Sequence, residues 1–253
     1  MAGRMNSFLD NLPQAVKGLL IINIAVFILS MIIEATMNID VARVIGLYFY
    51  KSDLFHPYQV ITHMFMHGGL MHLVFNMYAL WMFGQVVERV WGAKKFLIYY
   101  FITGLGAVFL HTFVNYLQFQ SITSGMSNET VQMVLNEGAN IISQNKNWTD
   151  PDVGALNLLM HIPTVGASGA IFGLLLAFGM LFPNMRLQLM FIPIPIKAKF
   201  FVMGYGAIEL YMGVQNAAGD NIAHFAHLGG MLFGFILIKI WDKTNKNNYY
   251  QEF

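Results

Sequence analysis

The sequence predicts an all-α membrane protein, a bundle of six transmembrane helices with both termini on the cytoplasmic side. Three observations carry this reading. The 253 residues are 57% hydrophobic and 11% charged, with a mean hydropathy of +0.55, whereas soluble domains carry about 25% charged residues. Six apolar segments recur, at about 18–37, 70–88, 96–117, 167–183, 199–217 and 222–241. The basic residues are split unevenly by those segments, 11 on one side (Arg4, Lys17, Arg89, Lys94, Lys95, Arg186, Lys197, Lys199, Lys239, Lys243, Lys246) against 3 on the other (Arg43, Lys51, Lys146). Such an excess marks the cytoplasmic face. Residues 1–253 read as a single membrane domain.

The formal net charge of +1 gives no electrostatic case for nucleic acid. The chain has no cysteine. A disulfide framework, a thiolate zinc site and a cysteine nucleophile are therefore excluded.

The first segment, Gly18 to about Met37, is long enough to span, since about 20 residues suffice. It ends in "MIIEATMN", which lacks a clear small-residue cleavage pattern, so it reads as an uncleaved helix. Backbone polar groups in lipid must be satisfied internally, which makes all six segments helical. Residues 38–69 form an outer loop containing "HMFMHGG". Residues 118–160 form a second one. Within it, "NETVQMVLNEGANIIS" places Val131, Val134, Leu135, Ile141 and Ile142 on a helical period, with Ser127 or Asn128 as cap. That pattern predicts an amphipathic helix lying on the outer leaflet. Asn128-Glu129-Thr130 and Asn147-Trp148-Thr149 match the glycosylation pattern, which matters only in a secretory pathway.

The fourth segment is short. Ser168 to Phe182 is 15 residues, roughly 22 Å at 1.5 Å per residue, against a hydrocarbon core of about 30 Å. With Phe182 and Pro183 near the inner face, the helix begins below the outer surface. Irregular backbone at that depth requires protein or a water-filled cavity beside it. The expectation is a hydrated pocket open to the outside, with Ser168 at its floor.

Polar side chains inside a bilayer are costly and mark sites by default. His72 and Asn76 are four apart and share one helix face. His227 has Gly230 and Gly234 on its own face, and Gly169, Gly173 and Ala177 form a stripe beside Ser168. Small stripes let helix backbones approach closely, and a lone serine or glycine in a span is more often packing than chemistry. The combination tips the balance. A hydroxyl needs a general base near neutral pH, and histidine is suited to that task. If the two stripes meet, Ser168 and His227 stand side by side. The helix start at Ser168 offers backbone N–H donors to a developing anion, and His72 and Asn76 can add side-chain donors. No acid lies beside His227 except Asp220, with Asn221, on the outer side. The residues therefore read as a Ser/His dyad. Phe172, one turn after Ser168, is placed to stack under the imidazole.

These residues resemble the rhomboid family of intramembrane serine proteases. "HMFMHGGLMHLVFN" resembles the loop and second helix, ending in His72 and Asn76; "VVERVWG", with Glu88 and Arg89, resembles the inner-side Glu-Arg element. "GASGAIFG" resembles the nucleophile motif, with Gly166 before Ser168, and "AHLGGMLFG" the sixth-helix motif with His227. The four motifs occur in the family's order over about 55–241. The resemblance implies a six-span core of rhomboid type, bacterial in form, in the cell membrane with the site opening outward. It implies Ser168 as nucleophile and His227 as base. His72, Asn76 and the Ser168 N–H would bind the oxyanion. Its partners would be membrane-anchored protein substrates and the lipid bilayer, and no metal or cofactor is expected. Phe172 stands where some members place a tyrosine, and the 118–160 loop is longer than the minimal bacterial form.

The spacing of His63, His67 and His72 raises a metal site, but no HExxH pattern accompanies them. His63 and His67 read instead as fixing the loop, and His224 as lying at the pocket rim. His56, His111 and His161 carry no assignment. Glu209, inside the fifth segment, reads as a proton-relay group or a neutral hydrogen-bonded acid. Two other functions compete: a catalytically silent binder of membrane proteins with this fold, and a proton-coupled transporter centred on Glu209. The binder is expected to lack the serine or histidine. The transporter is expected to show inverted repeats and paired interrupted helices.

Overall fold

The computed structural model describes residues 11–189, 192–215 and 223–251. In order, the elements are α1 (Gln14–Met37), α2 (Val41–Ile45), α3 (Gln59–Thr62), α4 (Leu70–Ala79), α5 (Gln85–Trp91), α6 (Ala93–Thr123), α7 (Asn128–Ser143), α8 (Pro151–His161), α9 (Ser168–Leu181), β1 (Arg186–Leu189), β2 (Ile192–Lys197), α10 (Ala198–Gln215) and α11 (His224–Gln251). Among the described residues, four stretches are long and apolar enough to cross a membrane: Gln14–Met37, Leu70–Trp91, Ala93–Thr123 and His224–Lys243. The second is α4 and α5 joined by a π-helical turn at Leu80–Gly84. α9 is a shorter apolar helix of 14 residues, and α10 has 18 residues, Lys199 and Glu209 among them. Asp220 and Asn221, weighed above as neighbours of His227, lie outside the described residues.

The core is built around α9. Ten of its residues, from Gly169 to Gly179, are buried, packed between α6 and α11. By contrast α1 exposes Ile21, Ile22, Ile28, Leu29, Met31 and Ile32, an apolar surface too extensive for water and suited to lipid.

Glycines set the helix spacings. A Cβ on Gly230 would overlap the Gly169 carbonyl oxygen, so α11 lies directly on α9 at the level of the site. The stripes do not meet along their full length. Gly173 faces Thr103 and Gly234 faces the Tyr99 hydroxyl, both on α6. α6 is wedged into the crossing there, and the Tyr99 hydroxyl donates to the Gly173 carbonyl at 2.8 Å.

Glu88 fixes α1. Its Oε1 and Oε2 accept the Ala15 and Val16 N–H groups at 2.9 and 2.8 Å, capping orphan donors at the helix start with the favoured charge. Arg89 Nη2 donates to the Asn11 carbonyl at 3.3 Å.

Three features differ from the sequence expectation. The fold is mostly helical rather than wholly so, because β1 and β2 pair antiparallel as a hairpin. Pro193 and Pro195 bar helix in that stretch. α6 continues to Thr123, six residues past the expected end. The amphipathic helix is α7, capped by the Ser127 hydroxyl, which accepts the Thr130 N–H at 3.2 Å. Its apolar face is not left for a leaflet. Val134 is fully buried in a cluster with Phe49, Leu156 and Met160, supplied largely by α8. Asn147 of the second glycosylation pattern is occupied in this junction, donating to the Gly154 carbonyl and accepting from Asn157 Nδ2 at 3.0 and 2.9 Å.

Candidate active site

Ser168 is the first residue of α9, and no side chain caps that helix start. The segment before it is clamped from two sides. Leu47 and Thr164 exchange backbone hydrogen bonds at 2.9 and 2.8 Å, and the Gly166 N–H donates to the His63 carbonyl at 2.9 Å. Gly166 has φ +122°, a conformation that favours glycine. A Cβ there would stand 2.8 Å from both Cε1 and Nε2 of His72, so the His72 ring lies against the backbone turn that presents Ser168. The turn thus brings the hydroxyl, the leading N–H groups of α9 and the His72 imidazole to one place.

His227 lies on the first turn of α11 and is buried. Its Nε2 is 2.8 Å from Ser168 Oγ. Phe172 stacks on its ring, with centroids 4.1 Å apart and planes within 5°. The two residues are 59 apart in sequence. The contact depends on Gly230 and Gly169 letting α11 close on α9. Ser168 itself is half-buried.

Asn76 is buried on α4, one turn after His72. His67 packs edge-on to His72 at 5.2 Å between centroids. Both His67 ring nitrogens are buried without a hydrogen-bond partner. His63 Nδ1 lies 2.9 Å from the Gln59 carbonyl and donates to it, which ties down the loop. His111, unassigned from sequence, lies 3.0 Å from the Thr164 hydroxyl through Nε2. His161 Nδ1 lies 2.7 Å from Asn157 Oδ1, in the α7–α8 junction.

The largest surprise is Glu209. From α10 it reaches the histidines of α11, with Oε2 at 2.9 Å from His227 Nδ1 and 2.6 Å from His224 Nδ1. The sequence marked a carboxylate in an apolar span but could not pair it, because 18 residues and a helix connection separate Glu209 from His227. His224 and His227 share one carboxylate. These three place donor atoms within 4.8 Å of one another.

A family profile described as the Rhomboid domain matches residues 55–242, a range that contains every residue of this constellation. The chain belongs to the rhomboid family. Among relatives of this rhomboid, RHOMBOID-like protein 12, mitochondrial, of Arabidopsis thaliana is 28% identical over 238 residues, 93% of this chain and 60% of that protein. Rhomboid protease GluP of Bacillus subtilis is 27% identical over 183 residues, 70% of this chain and 25% of that protein. Presenilin-associated rhomboid-like protein, mitochondrial, of Bos taurus is 25% identical over 203 residues, 73% of this chain and 42% of that protein. This rhomboid thus spans well under half the length of the bovine relative and a quarter of the bacterial one. Its relatives sit in bacterial, mitochondrial and chloroplast settings, and it is itself a multi-pass membrane protein.

Proposed function

We propose that this rhomboid is an intramembrane serine endopeptidase of the bacterial type. It would cleave peptide bonds in or near the transmembrane segments of membrane-anchored proteins. The reading places six spans in the cell membrane, both termini on the cytoplasmic side, and the site opening outward. The observation that carries it is the 2.8 Å contact between Ser168 Oγ and His227 Nε2 at an uncapped helix start.

A substrate segment must first unwind, because a helix hides its peptide carbonyls in its own hydrogen bonds. Ser168 Oγ attacks the exposed carbonyl carbon while its proton passes to His227 Nε2. The carbonyl oxygen becomes an oxyanion, held by the Ser168 N–H, His72 and Asn76. As the intermediate collapses, the C–N bond breaks and the proton on Nε2 goes to the departing amine. Water then attacks the acyl-enzyme, giving its proton to Nε2, and the second collapse returns that proton to Oγ. Phe172, stacked on the imidazole, holds the ring plane in line with Ser168. Gly166, Gly169, Gly230 and Gly234 act by letting backbones and rings approach. No step requires a metal or cofactor.

The bacterial relative named as a protease supports the reading, as does the arrangement of His72 against the Gly166 turn. The test is labelling by a fluorophosphonate, which phosphonylates an activated serine with loss of fluoride, together with cleavage of a membrane-tethered reporter. The parent should label and cleave. Ser168→Ala and His227→Ala should do neither while folding normally. Label or cleavage retained by Ser168→Ala would refute the assignment.

A further inference from the structure

Glu209 is 5% exposed, set in α10 among apolar neighbours. A buried carboxylate is retained only with partners, and its partners here are two imidazoles from the facing helix. An ionised carboxylate only accepts hydrogen bonds. With Glu209 ionised, the donor in the 2.9 Å contact to His227 is Nδ1–H. With the proton fixed on Nδ1, the neutral ring offers its lone pair at Nε2, the atom 2.8 Å from Ser168 Oγ. The opposite tautomer would turn an N–H toward the hydroxyl and leave no base. Phe172 cannot make this choice, because a stacked ring fixes a plane and is indifferent to which nitrogen bears the proton.

We infer that Glu209 is a third member of the catalytic constellation, a positioning residue that acts through His227. The proposal rests on the protease reading above and replaces its dyad with a Ser168–His227–Glu209 relay spread over α9, α11 and α10. Glu209 holds the base-competent tautomer. It also faces the positive charge that forms when Nε2 takes the serine proton, and it stays ionised throughout. The proton never leaves the Ser168–His227–amine path. The 2.6 Å contact from His224 Nδ1 anchors the carboxylate from the other side, so that its oxygen cannot swing away from His227.

A metal bridge is the competing use of the same donors. Nitrogen and oxygen ligands about 2.0–2.1 Å from a tetrahedral zinc lie about 3.3 Å apart. The observed separations of 2.6 and 2.9 Å are those of direct hydrogen bonds. A second competitor is a purely mechanical role, stapling α10 to α11.

The experiment uses the full chain in detergent or liposomes, comparing the parent with Glu209→Gln and Glu209→Asp. Fluorophosphonate labelling rate, kcat and KM on the tethered reporter, and thermal unfolding are measured on each. The His227 tautomer is read in the parent by 15N magnetic resonance. Replacing the orienting acid of a soluble serine protease by its amide lowers kcat by about 10⁴. A slowing of about 10²–10⁴ in labelling and kcat is therefore expected for Glu209→Gln, with KM within about threefold, and Glu209→Asp should regain at least tenfold of it. The neutral parent ring should carry its proton on Nδ1. Glu209→Gln labelling within about threefold of the parent, or a proton on Nε2, overturns the relay. A kcat loss that merely tracks lost thermal stability assigns the staple role and also overturns it. If Glu209→Gln does not fold, the parent tautomer decides alone. An unlabelled parent sinks the protease reading itself, a result distinct from a labelled parent indifferent to Glu209.

Discussion

Gly230 of α11 rests on the carbonyl group of Gly169 in α9, and a Cβ at position 230 would come within 2.8 Å of the carbonyl carbon after overlapping its oxygen. Gly169 follows Ser168 directly, and Gly230 lies three residues after His227. This backbone contact therefore sets the distance between hydroxyl and imidazole.

Gly230→Ala is expected to push α11 off α9. Overpacking of this kind typically costs about 1–3 kcal/mol, and a misplacement of about 1 Å at a reacting pair costs about 10² in rate. Thermal unfolding in detergent should show a lowered midpoint, and fluorophosphonate labelling should slow by about 10² or more. A Gly230→Ala protein that labels like the parent would show that the crossing does not govern the Ser168–His227 spacing.

How much of this was readable beforehand depends on separation in sequence. Ser168 and His227 each stand in a local pattern of glycines, and that spacing, combined with the helix start at Ser168 and the His72/Asn76 pair, brought them forward. Glu209 had no such pattern, and its partners sit on a different helix. Only the cost of an acid in an apolar span marked it. α8 was missed although Asp150 and Pro151 are a cap and first-turn pair; Asp150 accepts the Asp152 and Val153 N–H groups at 3.0 and 2.9 Å. A leaflet is the expected cover for the apolar face of α7 only when residues 118–160 read as one loop; α8 covers Val134 instead. The hairpin was signalled by the alternation Ile192-Pro193-Ile194-Pro195-Ile196, a period of two that no helix carries. The π-turn at Leu80–Gly84 has no marker in the residues that form it.

Gly166→Ala tests the turn that presents the nucleophile. The φ of +122° strains any side chain there, at a cost of about 1–3 kcal/mol. The added methyl also meets His72 at 2.8 Å. The expected outcome is a kcat on the tethered reporter lower by about 10²–10³, the usual effect of losing one oxyanion donor, with KM little changed. If KM rises instead while kcat holds, His72 serves substrate binding rather than the oxyanion.

Glu88→Gln should act on stability and not on chemistry. Its two carboxylate oxygens hold the Ala15 and Val16 N–H groups, and hydrogen bonds to a charged group contribute about 1.5–3 kcal/mol each. An amide keeps one acceptor and turns a donor toward the other N–H. A loss of about 2–3 kcal/mol in unfolding free energy is expected, with the labelling rate of the folded fraction within about twofold of the parent. Parent-like stability would mean that α1 is held by apolar packing alone.

The loop ahead of α4 makes stability depend on pH. Burial holds the His63 and His67 imidazoles at pKa values of about 4, below their usual 6.5. Both are neutral in the folded protein at pH 7, while the unfolded chain binds protons on them once the pH falls below about 6.5. Stability from this source is complete above pH 6.5 and drains away as the pH falls toward 4, at up to about 1.4 kcal/mol per unit for each histidine. Thermal unfolding at pH 7.5 and pH 5 should therefore give a lower midpoint at pH 5. His63→Gln replaces a titrating group with one that cannot charge, so it should flatten the slope even where it lowers the midpoint at pH 7.5. An unaltered slope in that variant would place the acid sensitivity at other groups and leave the His63 contact to the Gln59 carbonyl as a structural tie without a titration behind it.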